Sequence, residues 1–151
     1  MQTGLLHTHN LLRYVIVVLL ILAVVKSFIG WFGKKDYTPG DNKISLFLLI
    51  SAHLQLLIGL ALYFLGGYHK ALSNFAESMS NEVTRFWSLE HMVSMIVGIA
   101  IITLGRIMAK KGKNDNAKHR RQAVYFLLAM VLIFSAIPWP WSEAGIARDW
   151  F

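Results

Sequence analysis

The chain has 151 residues, 56% of them hydrophobic and only 15% charged, with a formal net charge of +7. Soluble domains carry about 25% charged residues, so this composition speaks against an ordinary soluble fold and for the membrane class. The basic residues gather between long apolar runs rather than in a stripe on a soluble fold, which excludes a nucleic-acid binder. The absence of Cys excludes disulfides, thiolate metal sites, iron–sulfur clusters and c-type heme attachment, so any heme must be non-covalent.

The start, Met1 to His7, has no basic n-region and no small-residue cleavage site, so no removable signal peptide is expected. A first span is expected at about 11–33. Its aliphatic core runs from Tyr14 to Val25, and Lys26 lies close enough to an interface to snorkel. Pro39-Gly40 with Asp36, Asp41 and Asn42 reads as a turn. A second span at about 44–65 contains Ser51, His53, Gln55 and Gly59 and ends at Gly66-Gly67. Between 68 and 83, Leu72, Phe75, Ala76 and Met79 recur at helical spacing, which predicts a short interfacial helix. A third span at about 88–109 opens on Arg85-Phe86-Trp87-Ser88-Leu89-Glu90-His91. A basic loop follows, and a fourth span is expected at about 122–141. It closes on Ile137-Pro138-Trp139-Pro140-Trp141, where prolines stop the helix and tryptophans mark an interface.

The pattern predicts an all-α fold: an integral membrane four-helix bundle forming a single domain over 1–151. Ten basic residues fall on one side (Lys34, Lys35, Lys43, Arg106, Lys110, Lys111, Lys113, Lys118, Arg120 and Arg121), against Arg13, Lys70, Arg85 and Arg148 on the other. The positive-inside rule then puts both termini on the outer side.

Ionisable groups inside apolar segments are costly and mark function by default. A six-coordinate heme needs two axial ligands at one depth on different helices. At roughly 1.5 Å per residue, His9 at the mouth of span one and His91 about one turn into span three are level. His7 is an alternative to His9. His53 lies roughly 14 Å from the other end of its span, well below His91. Met130 is near its level, and the nearer expectation for His53 is a hydrogen bond to a helix partner or to a quinone. His91, Ser94, Met95, Gly98, Ile102 and Gly105 form one helical stripe. That stripe admits either a packed helix or a flat porphyrin. Arg13, one turn from His9, has two readings: it holds a heme propionate or anchors a lipid headgroup. Arg85 at the same level has the same two. Glu90 is expected to orient a ligand histidine, to relay protons near a quinone, or to pair with Arg85 or Arg13. His69 and His119 are expected in solvated loops, with His119 within reach of anionic lipid.

His7-Thr8-His9-Asn10-Leu11-Leu12-Arg13-Tyr14, Ala52-His53-Leu54-Gln55, Arg85-Phe86-Trp87-Ser88-Leu89-Glu90-His91 and the terminal Ile137-Pro138-Trp139-Pro140-Trp141 resemble a family of short four-span bacterial membrane proteins labelled cytochrome b-like. The resemblance covers nearly the whole chain. It implies heme b, one group or two, in a four-helix bundle of the bacterial inner (cytoplasmic) membrane. His9 or His7 would stand with His91 in the ligand positions, with His53 a further candidate. The architecture also resembles one half of a heme A synthase. That enzyme's acidic loop pattern is missing here, and its activity is not carried over.

Two leading functions follow. One is electron transport by a heme ligated through His9 and His91, exchanging electrons with quinone or a periplasmic redox partner. The other is a heme-free accessory or assembly subunit of a larger membrane complex, with histidines that only pack and hydrogen-bond. In either case the expected partners are membrane lipid, other respiratory subunits or a second copy of the chain, and pairing across a two-fold axis would bring two His53 side chains together. A third class is a metal-dependent membrane enzyme using His7, His9, His91 and Glu90.

Overall fold

The computed structural model describes residues 2–146. Among them there is no strand, and helix follows helix from end to end. Helix α1 spans Gln2–Phe32 and α2 spans Pro39–Leu65. A 3-10 segment, Tyr68–Asn74, leads into the short helix α3, Phe75–Ser80. Then α4 (Glu82–Arg85), a π turn (Phe86–Glu90) and α5 (His91–Lys110) run on as one 29-residue helix. Helix α6 spans Asp115–Ser135, and α7 is the single turn Glu143–Ile146.

The chain specifies most of these boundaries locally. Thr38 caps α2 through the backbone N–H of Asp41, and the Asp41 carboxylate accepts from the backbone N–H of Thr38. This reciprocal box, with Pro39 in the first turn, satisfies donors that the helix itself cannot. Asn114 caps α6 through the N–H of Ala117. Past the end of α2, Gly67 adopts a left-handed φ of 73°, a conformation that glycine reaches without a Cβ penalty. The turn it makes starts the 3-10 segment.

Three helices are long and apolar enough to cross a membrane: Gln2–Phe32, Pro39–Leu65 and Glu82–Lys110. Helix α6 is not among them. It is helical but begins in the charged stretch Asp115 to Arg121 and stops at Ser135, short of the expected end at Trp141. Its apolar part, 122–135, is about 14 residues and roughly 21 Å long, against about 30 Å of hydrocarbon. Prolines 138 and 140 are the physical reason, since neither supplies a backbone N–H to continue the ladder.

Helix α1 lies beside α2 and α6, and α5 lies beside the same two helices. Neighbours run antiparallel. Gln55 near the end of α2 reaches the carbonyl of His9 near the start of α1, while Asp41 at the start of α2 pairs with Lys26 toward the end of α1. Leu20, Leu48, Ile102 and Phe126, one from each long helix, are fully buried at the centre. Outward residues such as Leu11, Phe47, Leu57 and Val131 are large, apolar and exposed, as surfaces against lipid require.

Close helix approach explains the small-residue stripe on α5. A Cβ at Gly98 would fall on Ile133, and one at Gly105 on Tyr125 and Phe126. The small residues of the stripe therefore pack on α6. The residues of α5 that line open space are His91 and Met95 of the same stripe, with Met92 and Ile99 beside it.

The end of the molecule holding the α1–α2 and α5–α6 connections is closed by polar contacts. Arg106 is buried and donates to the Asn42 carbonyl and to Ser45 Oγ. Tyr37 donates to Gln122 Oε1 at 2.8 Å, and Asn116 donates to the Trp31 carbonyl. His119 corrects the solvated-loop expectation. It is only 2% exposed, with its ring laid on Gly30 of α1 and beside Tyr37. Gly30 makes room for that ring, a pairing that no local pattern in either helix announces.

Candidate functional site: a histidine-lined cavity between the helices

At the other end the helices separate around a cavity of about 430 Å³. This volume falls within the range of about 300–1,000 Å³ typical of small-molecule and cofactor sites. Its wall is chiefly apolar, with His7, His9, Arg13, Gln55 and His91 among its polar groups. Two histidines from α1 and one from α5 thus share a single space, as their depths in the sequence suggested. His7 is exposed at the mouth, while His9 and His91 are half-buried.

His91 is held from behind. Its Nδ1 lies 2.8 Å from the carbonyl oxygen of Ala136. The origin of that acceptor is covalent. Helix carbonyls accept from the N–H four residues on, and the residues four beyond Phe134 and Ala136 are Pro138 and Pro140. Both carbonyls lose their helical donor. Phe134 is satisfied by Trp139 Nε1 at 2.9 Å, and Ala136 by His91. With Nδ1–H donating to a carbonyl, the lone pair of the imidazole resides on Nε2. A neutral metal-ligating histidine needs that tautomer and that kind of support.

The π turn just before His91 contributes as well. The N–H of His91 bonds to the Phe86 carbonyl, one residue further back than in an α-helix. Such single π turns recur at functional sites. Here Trp87 and His91 both line the cavity, with ring centroids 5.5 Å apart. The turn is anchored by Tyr63 of α2, whose hydroxyl donates to the Ser88 carbonyl at 3.0 Å.

His9 is positioned from α2. Gln55 Nε2 donates to the His9 carbonyl at 3.0 Å, and a Cβ at Gly59 would lie 3.1 Å from His9 Cε1. Glycine at 59 therefore admits the imidazole against the α2 backbone. Arg13, one turn further along α1, lines the same cavity, with its guanidinium 5.0 Å from the centroid of the Tyr14 ring.

Three other sequence candidates fall elsewhere. Arg85 donates from Nε to Glu90 Oε1 at 2.6 Å and from Nη1 to the Met79 carbonyl, and it is not a lining residue. Glu90 is exposed and occupied by that pair, and the acceptor behind His91 is the Ala136 carbonyl. His53 is on the outward face of α2, where Nδ1 lies 2.8 Å from the Leu49 carbonyl of its own helix. Met130 packs against the buried core, whereas His53 is exposed. Among the described residues, no group of three or more His, Asp or Glu is placed to hold a metal ion. The constellation of His7, His9, His91 and Glu90 is therefore not assembled as a non-heme metal site.

Sequence reasoning missed Gln55, Gly59 and Tyr63 as parts of the site. Their signal was present: Ala52, Gln55, Leu56, Gly59 and Tyr63 follow the spacing of one helix face, and His53 is off that face. It missed the Ala136 carbonyl altogether, although Pro140, which releases this group, was noted.

No protein-family model, no curated protein and no solved structure matches the chain.

Proposed function

We propose that the chain is a b-type heme protein of the bacterial inner membrane that carries electrons between quinone or a periplasmic redox partner and its heme. The observation that carries this reading is the His91 imidazole, tied through Nδ1 to a carbonyl freed by Pro140 and bordering a cavity shared with His9. The donor set fits the group. Two neutral imidazoles from different helices suit heme iron, an apolar wall suits a porphyrin face, and Arg13 suits a propionate. In this reading His91 and His9 would hold the heme iron, and His7 at the mouth is the alternative to His9. Bound heme supplies the one-electron chemistry. The protein supplies ligand orientation through Ala136, Gln55 and Gly59, and an apolar shell that excludes water.

The topology belongs to the same proposal. The chain crosses four times, with the short helix α6 completed by the non-helical stretch 136–141. Lys34, Lys35, Lys110, Lys111, Lys113 and Arg120 are all exposed at the closed end, which supports a cytoplasmic placement of that end. Both termini and the cavity are then on the outer side.

The test is a visible spectrum of the purified protein with pyridine hemochrome quantitation. The expected result is a reduced-minus-oxidised α-band that vanishes in His91→Ala and in one of His9→Ala and His7→Ala. A colourless protein isolated inside a larger complex would overturn the proposal and leave the accessory-subunit reading. Heme retained in full by all three variants would remove the assigned ligands.

A further inference from the structure

Gln55 carries an atom that the packing leaves over. Its Nε2 donates to the His9 carbonyl at 3.0 Å, while Oε1 of the same amide is buried and accepts no hydrogen bond from the described residues. An unpaired buried acceptor costs about 1–3 kcal/mol, so such an atom calls for a partner. Leu56, Leu60 and Met95 of the cavity wall offer none.

The surroundings single out one donor. Gln55 and Gly59 stand one turn apart on the cavity face of α2. A Cβ at Gly59 would lie 3.1 Å from Cε1 of His9 and 3.7 Å from Nδ1. The Nδ1 edge of this imidazole is therefore the edge laid against α2. Other polar groups around the cavity are engaged elsewhere: His91 with the Ala136 carbonyl, Tyr63 with the Ser88 carbonyl, and Arg13 with the Tyr14 hydroxyl, to which Nη2 donates at 3.3 Å. Asn10 stands about 100° further round α1 than His9. A primary amide donates and accepts at once, so Gln55 can hold the main chain and the ring of a single residue.

We propose that Gln55 is a positioning residue for His9: with heme bound, His9 Nδ1–H donates to Gln55 Oε1, and Nε2 of His9 faces the iron. A rotation of the imidazole about its Cβ–Cγ bond makes the contact. This rests on the heme reading and sharpens it. His9 receives from a side chain the support that His91 receives from a main-chain carbonyl. His7, exposed at the mouth, is then not the partner of His91. An acceptor on Nδ1–H makes Nε2 more basic. A more basic ligand favours ferric iron, so Gln55 holds the heme potential down.

Two variants test it. Gln55→Met and Gln55→Glu both lose the amide N–H that holds the His9 carbonyl, but only Gln55→Glu keeps an oxygen for Nδ1–H. In the purified heme-loaded protein, Gln55→Met should raise the midpoint potential and weaken heme retention about tenfold. Gln55→Glu should keep the potential at or below that of the natural protein. In the diamagnetic ferrous state, the Nδ1–H proton of His9 should exchange with water severalfold faster in Gln55→Met than in the natural protein or in Gln55→Glu. A role confined to the main-chain bond would move both variants alike. An α-band with one common potential in Gln55→Met and Gln55→Glu, or a lower potential in Gln55→Met, would overturn this inference and leave the heme reading standing. A natural protein without any α-band would overturn both.

Discussion

The two ends of the molecule use polar side chains in opposite ways. At the closed end, Lys26 pairs with Asp41, Arg106 with Ser45 and Asn42, and Tyr37 with Gln122, while the His119 ring fills the gap over Gly30. There the polar groups fill the space between the helices, bonding to side chains and to main-chain carbonyls, and they lock the loop 33–38 onto α6. At the cavity end, the polar groups of α1, α2 and α5 line a space instead of filling it, and their bonds run backwards to main-chain carbonyls: Gln55 to His9, His91 to Ala136. A side chain secured from behind and bordering open volume is arranged to receive something. A side chain packed over on every side, as His119 is at 2% exposure, is structural. By that criterion His91 and His119, both histidines near the ends of apolar segments, have different jobs.

The contrast can be broken experimentally. The largest effect is expected at Gly30. Gly30→Ala would drive a Cβ into the His119 ring, and overpacking of this kind costs about 1–3 kcal/mol. Thermal unfolding in detergent should show the loss, with the ligand-binding properties of the cavity unchanged. A cavity that also fails would mean that the two ends are coupled.

Tyr37 gives a smaller and pH-dependent effect. Burial pushes its phenol above the usual tyrosine value. The folded state then holds that proton at pH values where the unfolded chain has lost it. The contribution is complete below pH about 10 and declines as the pH rises beyond that. Tyr37→Phe should lower stability at neutral pH by about 1 kcal/mol through the lost bond to Gln122. It should also flatten the alkaline decline. An alkaline melt identical in slope to that of the natural protein would refute the assignment.

The smallest change in stability, and the most informative for the cavity, is expected from Gly59→Ala. Its Cβ would meet His9 Cε1 at 3.1 Å, so the imidazole must give by a few tenths of an ångström. The melting temperature should barely move, while the α-band of a bound heme, or the affinity for added heme, should shift. The same substitution with no effect on either would detach His9 from ligand binding.

Part of the cavity lining was legible in the chain before folding was considered. The depths of His9 and His91 followed from their distances to the ends of apolar runs, and they do share a cavity. Arg13 followed from its i+4 spacing to His9. What could not be read was which way each group turned. Glu90 had three possible jobs by sequence and took the nearest cation, Arg85, five residues away. His119 stood in a basic loop and was expected in solvent, but Gly30 on another helix gave it a bed. The stripe from His91 to Gly105 was correctly periodic, yet its small residues meet α6, because close helix packing fills such a groove before a ligand can.

The amino-acid sequence alone determined that the chain is helical, with three segments apolar enough to cross a membrane, and that Pro138 and Pro140 leave two carbonyls without helical donors. These follow from hydropathy, capping and covalent geometry, which act over a few residues. The tertiary structure alone decided that one of those carbonyls would fix His91, that Gln55 and Gly59 would seat His9, and that His53 would face outward. Such choices depend on the rotation of each helix against its neighbours, and that rotation is set by packing among residues far apart in the chain.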